Sequence, residues 1–137
     1  MVDRDAFDRR LAKLEELLRD LRDLARHDLA TYLADRRLQA QAERWLQLAA
    51  ECAIDLANQL IAERGWRTPR TYREAFDVLR DAGIVDATLA ATMSRWAGLR
   101  NVLTHLYLDV DQRRLHEVLQ HGLDDLERFA AAVARVD

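Results

Sequence analysis

DRRLQAQAERWLQLAAECAIDLANQLIAERG, residues 35–65, runs from Asp35 to Arg64 without a glycine or proline and closes on Gly65. Along it Leu38, Ala42, Trp45, Ala49, Cys52 and Leu56 recur in steps of four and three, flanked by Leu46, Ala53 and Leu60. That spacing lays one apolar stripe along an α-helix, and a glycine just past the last periodic residue is a common helix terminator. Toward the N-terminus, Phe7, Leu11, Leu14, Leu18, Leu21 and Ala25 repeat the pattern over Asp3 to Arg26, with Leu17 and Leu24 widening the stripe. Asp28 to Leu33 reads as a continuation of that helix after a bend. Toward the C-terminus, the connection from Trp66 to Arg70 holds Pro69, the one proline of the chain. Thr71 followed by Glu74 has the form of a capping box and starts a short third helix to about Ala82. Gly83 breaks it, and Asp86 can cap a fourth helix through Leu89, Met93, Trp96, Leu99, Leu103 and Leu106. After the Asp109-Val110-Asp111 turn, Leu115, Leu119, Gly122, Leu126, Phe129 and Val133 predict a final helix. The expected architecture is all-α: a single antiparallel bundle of about five helices, forming one domain over residues 1–137.

Composition agrees. The 137 residues are 50% hydrophobic and 33% charged, with four Gly, one Pro, 23 Leu and 22 Ala. So few turn formers disfavour an all-β fold, and a chain of this length can bury roughly two-thirds of its unfolded surface without metal or disulfide staples. A net charge of −3 argues against a non-specific nucleic-acid coat or a membrane-surface binder, while leaving room for a local basic cleft. No segment approaches the ~18 uncharged apolar residues of a membrane span, and MVDRDAFDRR has no apolar signal core, so a cytoplasmic protein is expected. Cys52, the one cysteine, reads as a buried structural thiol. Twenty of the 21 basic residues are Arg, which fits either phosphate-binding forks or a GC-rich genome.

The chemistry-bearing residues are fewer. The chain has no Cys pair, no HExxH and no glycine-rich phosphate loop, so no metal site or cofactor is expected. His116 and His121 are five apart, the wrong spacing for two ligands on one helical face, and neither they nor His27 have evident partners in the sequence. His27 suits a structural role at a helix end. His105 is different, because it lies in Leu99-Arg100-Asn101-Val102-Leu103-Thr104-His105-Leu106-Tyr107. On an ideal helix Arg100 and Tyr107 fall within about 20° of each other, with His105 about 140° away. All three converge only if the helix loosens near Thr104 or if two copies of the chain meet, which predicts a site near a helix end or a dimer interface. From spacing alone, Arg100 reads more readily as an exposed helix charge and Tyr107 as a core-edge aromatic with its hydroxyl in water.

Arg100-Asn101-x-Leu103-x-His105-x-Tyr107 resembles the R-x4-H-x-Y signature of HEPN-domain ribonucleases, specifically the HepT toxins. Ala53 to Ile61, Pro69 with Tyr72 to Phe76, and Leu79 to Ile84 resemble the same family in the same order, so the likeness spans about Leu38 to Val110. The resemblance implies a metal-independent endoribonuclease without a cofactor, acting as a homodimer on tRNA or mRNA. Arg100 and His105 would be catalytic, with Asn101 and Tyr107 supporting them or contacting substrate. It also implies a small nucleotidyltransferase antitoxin that neutralises the toxin by AMPylation of Tyr107. Two other readings compete. One is a catalytically silent HEPN-like scaffold; the other is a helix-turn-helix DNA binder built from Tyr72–Ala82 and Asp86–Trp96, whose Thr88, Thr92, Ser94 and Arg95 offer little to read bases. Asp55 and Asn58 read as buried hydrogen-bond anchors more readily than as cleft residues. Trp45, Trp66 and Trp96 read as packing anchors rather than base-stacking platforms.

Overall fold

The computed structural model describes residues 4–136, and all regular structure in that span is helical. The order is α1 (Arg4–Leu24), α2 (Leu29–Ala34), α3 (Arg36–Arg64), α4 (Tyr72–Asp81), α5 (Ala87–His105), a 3-10 turn (Tyr107–Asp109), α6 (Gln112–His121) and α7 (Leu123–Ala134). The expected helix start at Asp3 lies outside the described residues. No helix among the described residues is long and apolar enough to cross a membrane.

The all-α bundle is the one the periodicity predicts, but two boundaries differ and raise the number of α-helices among the described residues from about five to seven. Asp28 does not bend α1 onward; its carboxylate accepts from the Thr31 backbone N–H at 2.8 Å and starts α2 afresh. Such caps stabilise a helix start by about 1 kcal/mol. The final helix splits at Gly122, where a Cβ would lie 2.9 Å from the carbonyl oxygen of Val118. The stripe from Leu115 to Val133 stays in phase across that break, so periodicity alone could not reveal it.

Side-chain contacts fix the packing directions. Arg10 near the start of α1 donates to Gln59 near the end of α3 at 2.8 Å, so these two helices run antiparallel. α7 returns along α1, where Arg22 near the end of α1 pairs with Asp124 at 2.8 Å and with Glu127. α5 runs antiparallel to α3, with Gln47 beside Thr104 and Glu51 beside Arg100. The buried residues form one continuous core that includes Phe7, Leu21, Leu56, Phe76 and Phe129. Phe76 of α4 meets Phe129 of α7 edge to face, with centroids 5.6 Å apart. Burying each such side chain contributes about 1.5–3 kcal/mol. Trp96 is buried, and Trp45 and Trp66 pack partly buried against the core, as packing anchors do.

α2 is docked by polar contacts as well as by burial. Fully buried Tyr32 donates its hydroxyl to Gln112 of α6 at 2.6 Å, and Gln112 donates to Glu43 of α3 at 2.9 Å. Desolvation, then the charge of Glu43, push the phenol far above its ordinary range, so it stays a donor. His116 and His27, without evident partners in the sequence, meet here. His116 Nε2 lies 2.9 Å from the carbonyl oxygen of His27, and its ring packs 5.4 Å from that of Tyr32. This is a structural role.

Candidate active site

Gly65 adopts φ +66, ψ +26, a left-handed conformation that costs a glycine little, and Trp66 N–H closes back on the carbonyl of Ile61 at 3.1 Å. This ends α3 and turns the chain into the connection carrying Pro69 and Arg70. Thr71 then caps α4 by accepting from the Glu74 N–H at 3.1 Å. The reciprocal half of the expected capping box does not form: Glu74 turns its carboxylate to Arg67 at 2.6 Å. Arg67 also reaches Asp81 at 3.2 Å, so the connection is strapped to both ends of α4. The guanidinium of Arg67, foremost, holds the Asp81 carboxyl below the usual carboxylate range.

That strapped connection forms one wall of a cleft of about 500 Å³, bordered by Asn58 of α3, Pro69, Arg70, Thr71 and Tyr72, and by Arg100, Asn101 and His105 of α5. Its border therefore carries two guanidiniums, an imidazole, two amides and hydroxyl groups, with no carboxylate. Such a donor set suits an anion. Arg100 is mostly buried, with its side chain 15% exposed. Its Nε donates to Glu51 at 2.5 Å, its Nη1 donates to Asn101 Oδ1 at 3.2 Å, and its Cζ lies 4.9 Å from the centroid of the Tyr72 ring. His105 is exposed and is the last residue of α5. The helix stops there because Leu106 leaves helical geometry, at φ −117 and ψ +38, and the 3-10 turn follows. Thr104 accepts from Gln47 of α3 at 3.1 Å, which pins this helix end.

The structure thus brings Arg100, Asn101 and His105 to one cleft at a helix end, one of the two placements the spacing allowed. Helix α5 does not loosen at Thr104; it ends one residue later. Tyr107 does not border the cleft. It sits on the 3-10 turn with 67% of its surface exposed, so it is not the core-edge aromatic its spacing allowed. Its neighbours Leu106 and Leu108 are exposed as well. Two second-helix expectations are corrected: Asn58 borders the cleft rather than anchoring the core, and Asp55 is exposed. Cys52 is half-buried rather than fully buried, and burial, first, pushes its thiol up, away from reactive thiolate. The helix-turn-helix reading keeps few reading groups, with Thr88 and Arg95 exposed and the others engaged. Thr92 is buried and bonded to the Thr88 carbonyl, Ser94 is bonded to the Arg73 carbonyl, and Arg95 donates to Thr92.

Glu51, Arg70 and the stacked ring of Tyr72 are site residues that sequence reasoning did not single out. The signal for Glu51 was its spacing from Asp55 and Asn58, four and seven residues on, which makes a polar stripe beside the apolar one. Only the α3–α5 register shows that this stripe meets Arg100. Asp55 feels the same neighbourhood. Although the residue is exposed, desolvation of its carboxyl, foremost, and the charge of Glu51 raise its pKa against the pull of Arg10 and Arg100. The folded chain therefore holds this proton more tightly than the unfolded chain does, and stability falls as pH rises past the unfolded carboxyl's value. Asp55→Asn should raise the thermal midpoint at pH 7, by about a degree or two. The gain should vanish below about pH 4, where the aspartate is protonated in either state. Unfolding scans at both pH values check this; an equal or larger gain in acid would contradict it.

A helical bundle whose cleft brings an arginine and a histidine five residues apart together with amide donors has the groups to act on an anionic ligand. Comparison with known proteins supplies the family. The ribonuclease HepT-like family matches residues 14–133, and the chain belongs to that family. The mRNA nuclease HepT of Shewanella oneidensis is 28% identical over 102 residues, covering 74% of this chain and 77% of its own length. The tRNA nuclease HepT of Aphanizomenon flos-aquae is 29% identical over 124 residues, covering 90% and 84%. Among solved structures, the tri-AMPylated HEPN toxin of Shewanella oneidensis in complex with its MNT antitoxin superposes with a TM-score of 0.88 at 24% identity, over 99% of this chain and 100% of that one.

Proposed function

We propose that this chain is the toxin of a toxin–antitoxin pair: a single-domain, cytoplasmic endoribonuclease that cuts RNA, tRNA or mRNA, at the cleft of Arg100 and His105. The observation that carries the reading is the border of that cleft. It places Arg100, Arg70, Asn101 and His105 together with no carboxylate among them. RNA brings its own nucleophile, so the protein needs only to move protons and offset the charge of a crowded phosphorane. His105 takes the proton of the 2′-OH as its oxygen attacks phosphorus. The bond to the 5′-oxygen breaks, and that oxygen takes up a proton from water or from His105 of a second copy. The products are a 2′,3′-cyclic phosphate and a 5′-hydroxyl. Arg100 holds the non-bridging oxygens with a planar fork that Lys lacks.

No step here calls for a metal, and guanidinium, imidazole and amide donors with no carboxylate fit a phosphate far better than a divalent cation. Purified protein should therefore cut RNA equally well with and without EDTA, leaving 3′ ends that offer no free hydroxyl for ligation until the cyclic phosphate is opened and the phosphate removed. Complete inhibition by the chelator would overturn the mechanism. Absence of cutting under every condition would favour the catalytically silent scaffold instead. A homodimer fits the exposed Leu106-Tyr107-Leu108 segment, an apolar surface that follows the cleft's His105 directly in the chain. The partner would be a small nucleotidyltransferase antitoxin, with Tyr107 its target for AMPylation, in keeping with the tri-AMPylated state named for the Shewanella oneidensis toxin.

A further inference from the structure

We infer that Glu51 of α3 is a positioning residue of this site: it holds the guanidinium of Arg100 so that its unengaged N–H groups face the cleft. The inference rests on the ribonuclease reading for its catalytic consequence, but its geometric content stands apart from it. Three elements converge on Arg100. Glu51 Oε1 accepts from Nε at 2.5 Å, across from α3. Asn101 Oδ1, from the same helix, accepts from Nη1 at 3.2 Å. The Tyr72 ring at the start of α4 lies against the guanidinium face, 4.9 Å from Cζ to centroid. These contacts fix the position of the group, its rotation about its own axis and the plane in which it lies.

A guanidinium carries five N–H groups. Glu51 engages the one on Nε and Asn101 one of those on Nη1, which leaves three, all at the far end of the group from its aliphatic stem. Arg100 borders the cleft, whereas Glu51 itself does not. The carboxylate thus sits behind the arginine. A phosphate entering the cleft can meet the remaining fork without displacing Glu51, so the ion pair orients the cation rather than blocking it. Both side chains are substantially shielded, 15% exposed for Arg100 and 30% for Glu51, so the pair is screened less than a surface bridge. An arginine released from it would have its long stem free to sample several rotamers, few of which present the fork to the same point.

Single-turnover and steady-state cleavage by Glu51→Ala and Glu51→Gln, each in wild-type and Arg100→Lys backgrounds, tests this. In the wild-type background Glu51→Ala should lower kcat about tenfold to a hundredfold, the cost of a misplaced group, with a smaller change in KM. Glu51→Gln should recover most of that loss, because its amide oxygen still accepts from Nε. In the Arg100→Lys background, where no fork remains to be aimed, Glu51→Ala should change kcat less than about threefold, since coupled residues are non-additive. A rise in kcat/KM for Glu51→Ala would overturn the inference by making Glu51 a competitor of the phosphate. Equal losses in both backgrounds, or a Gln variant no better than Ala, would overturn it by making Glu51 act independently of the arginine. The clamp has a readout that needs no activity. The Arg100 Nε–H resonance should exchange slowly with water in the wild-type protein and rapidly in Glu51→Ala, and persistence of slow exchange in the variant would equally overturn it. Should wild-type protein fail to cut RNA, the ribonuclease reading falls while this measurement still decides the clamp.

Discussion

His105→Ala should reduce RNA cleavage about 10²- to 10⁴-fold, the usual loss on removing a group that transfers a proton in the transition state. Arg100→Ala should reduce it about 10²- to 10³-fold by removing charge stabilisation. The two losses differ in what else they disturb. His105 is exposed at the end of α5, with Thr104 and not His105 pinned to α3, so its truncation should leave the thermal midpoint and helicity unchanged. Arg100 is nearly buried and paired, so its truncation strands the Glu51 carboxylate and should cost about 1–3 kcal/mol of stability besides activity. Arg100→Lys separates the two effects, because an ammonium can still pair with Glu51 but offers no second, parallel donor for phosphate. Cleavage rates alongside melting curves for the three variants check the assignment. Retained cutting by both His105→Ala and Arg100→Ala would place the chemistry elsewhere in the molecule.

How far the sequence could reach is clear from where each residue's information lies. The stripe on α3 and its counterpart on α1 depend on apolar positions repeating within a helix, a local property, and both helices are found as expected. The break at Gly122 escapes the same reasoning because the residues on either side remain in phase. The site divides similarly. Arg100, Asn101 and His105 share one helix end, and their common cleft could be anticipated once α5 was given an end near Thr104. The cleft's other wall is non-local. Arg70 and Tyr72 reach it only because Gly65 reverses the chain and Arg67 straps the connection to α4, and Asn58 reaches it from α3, which packs against α5. Glu51 depends on the register of two helices packed antiparallel, which no window of sequence contains.

The charge of the chain fits this division. A formal charge of −3 is incompatible with a surface that attracts RNA everywhere, and most arginines are engaged elsewhere or lie on solvated faces, as Arg4, Arg22, Arg67, Arg80 and Arg128 do in their ion pairs. On the proposed function, what remains for RNA is a local field at a cleft whose border carries no carboxylate. Binding should then depend on a few phosphate contacts and fall only modestly with added salt compared with a broadly basic protein.

Modification of Tyr107 should switch this site off completely. Tyr107 is 67% exposed, two residues beyond His105, on a turn outside the cleft, so a second enzyme can reach its hydroxyl without unfolding the helix end. An adenylate joined there carries a phosphodiester charge and a nucleotide long enough to extend from the turn toward the neighbouring cleft. The charge would find Arg100 and Arg70, the same cations that a substrate phosphate needs, and the base and ribose would fill space meant for RNA. Incubation with the partner nucleotidyltransferase and ATP should add one or more AMP masses, mapped to Tyr107, and cleavage should fall in proportion to the fraction modified. Tyr107→Phe should keep most of its cutting activity, because the hydroxyl lies outside the cleft, yet resist both the mass gain and the inhibition. A Phe variant modified and silenced as readily as the parent would move the target to another residue. A Phe variant as inactive as His105→Ala would instead make Tyr107 part of the cutting machinery, drawn into the cleft only when RNA or a second copy of the chain is present.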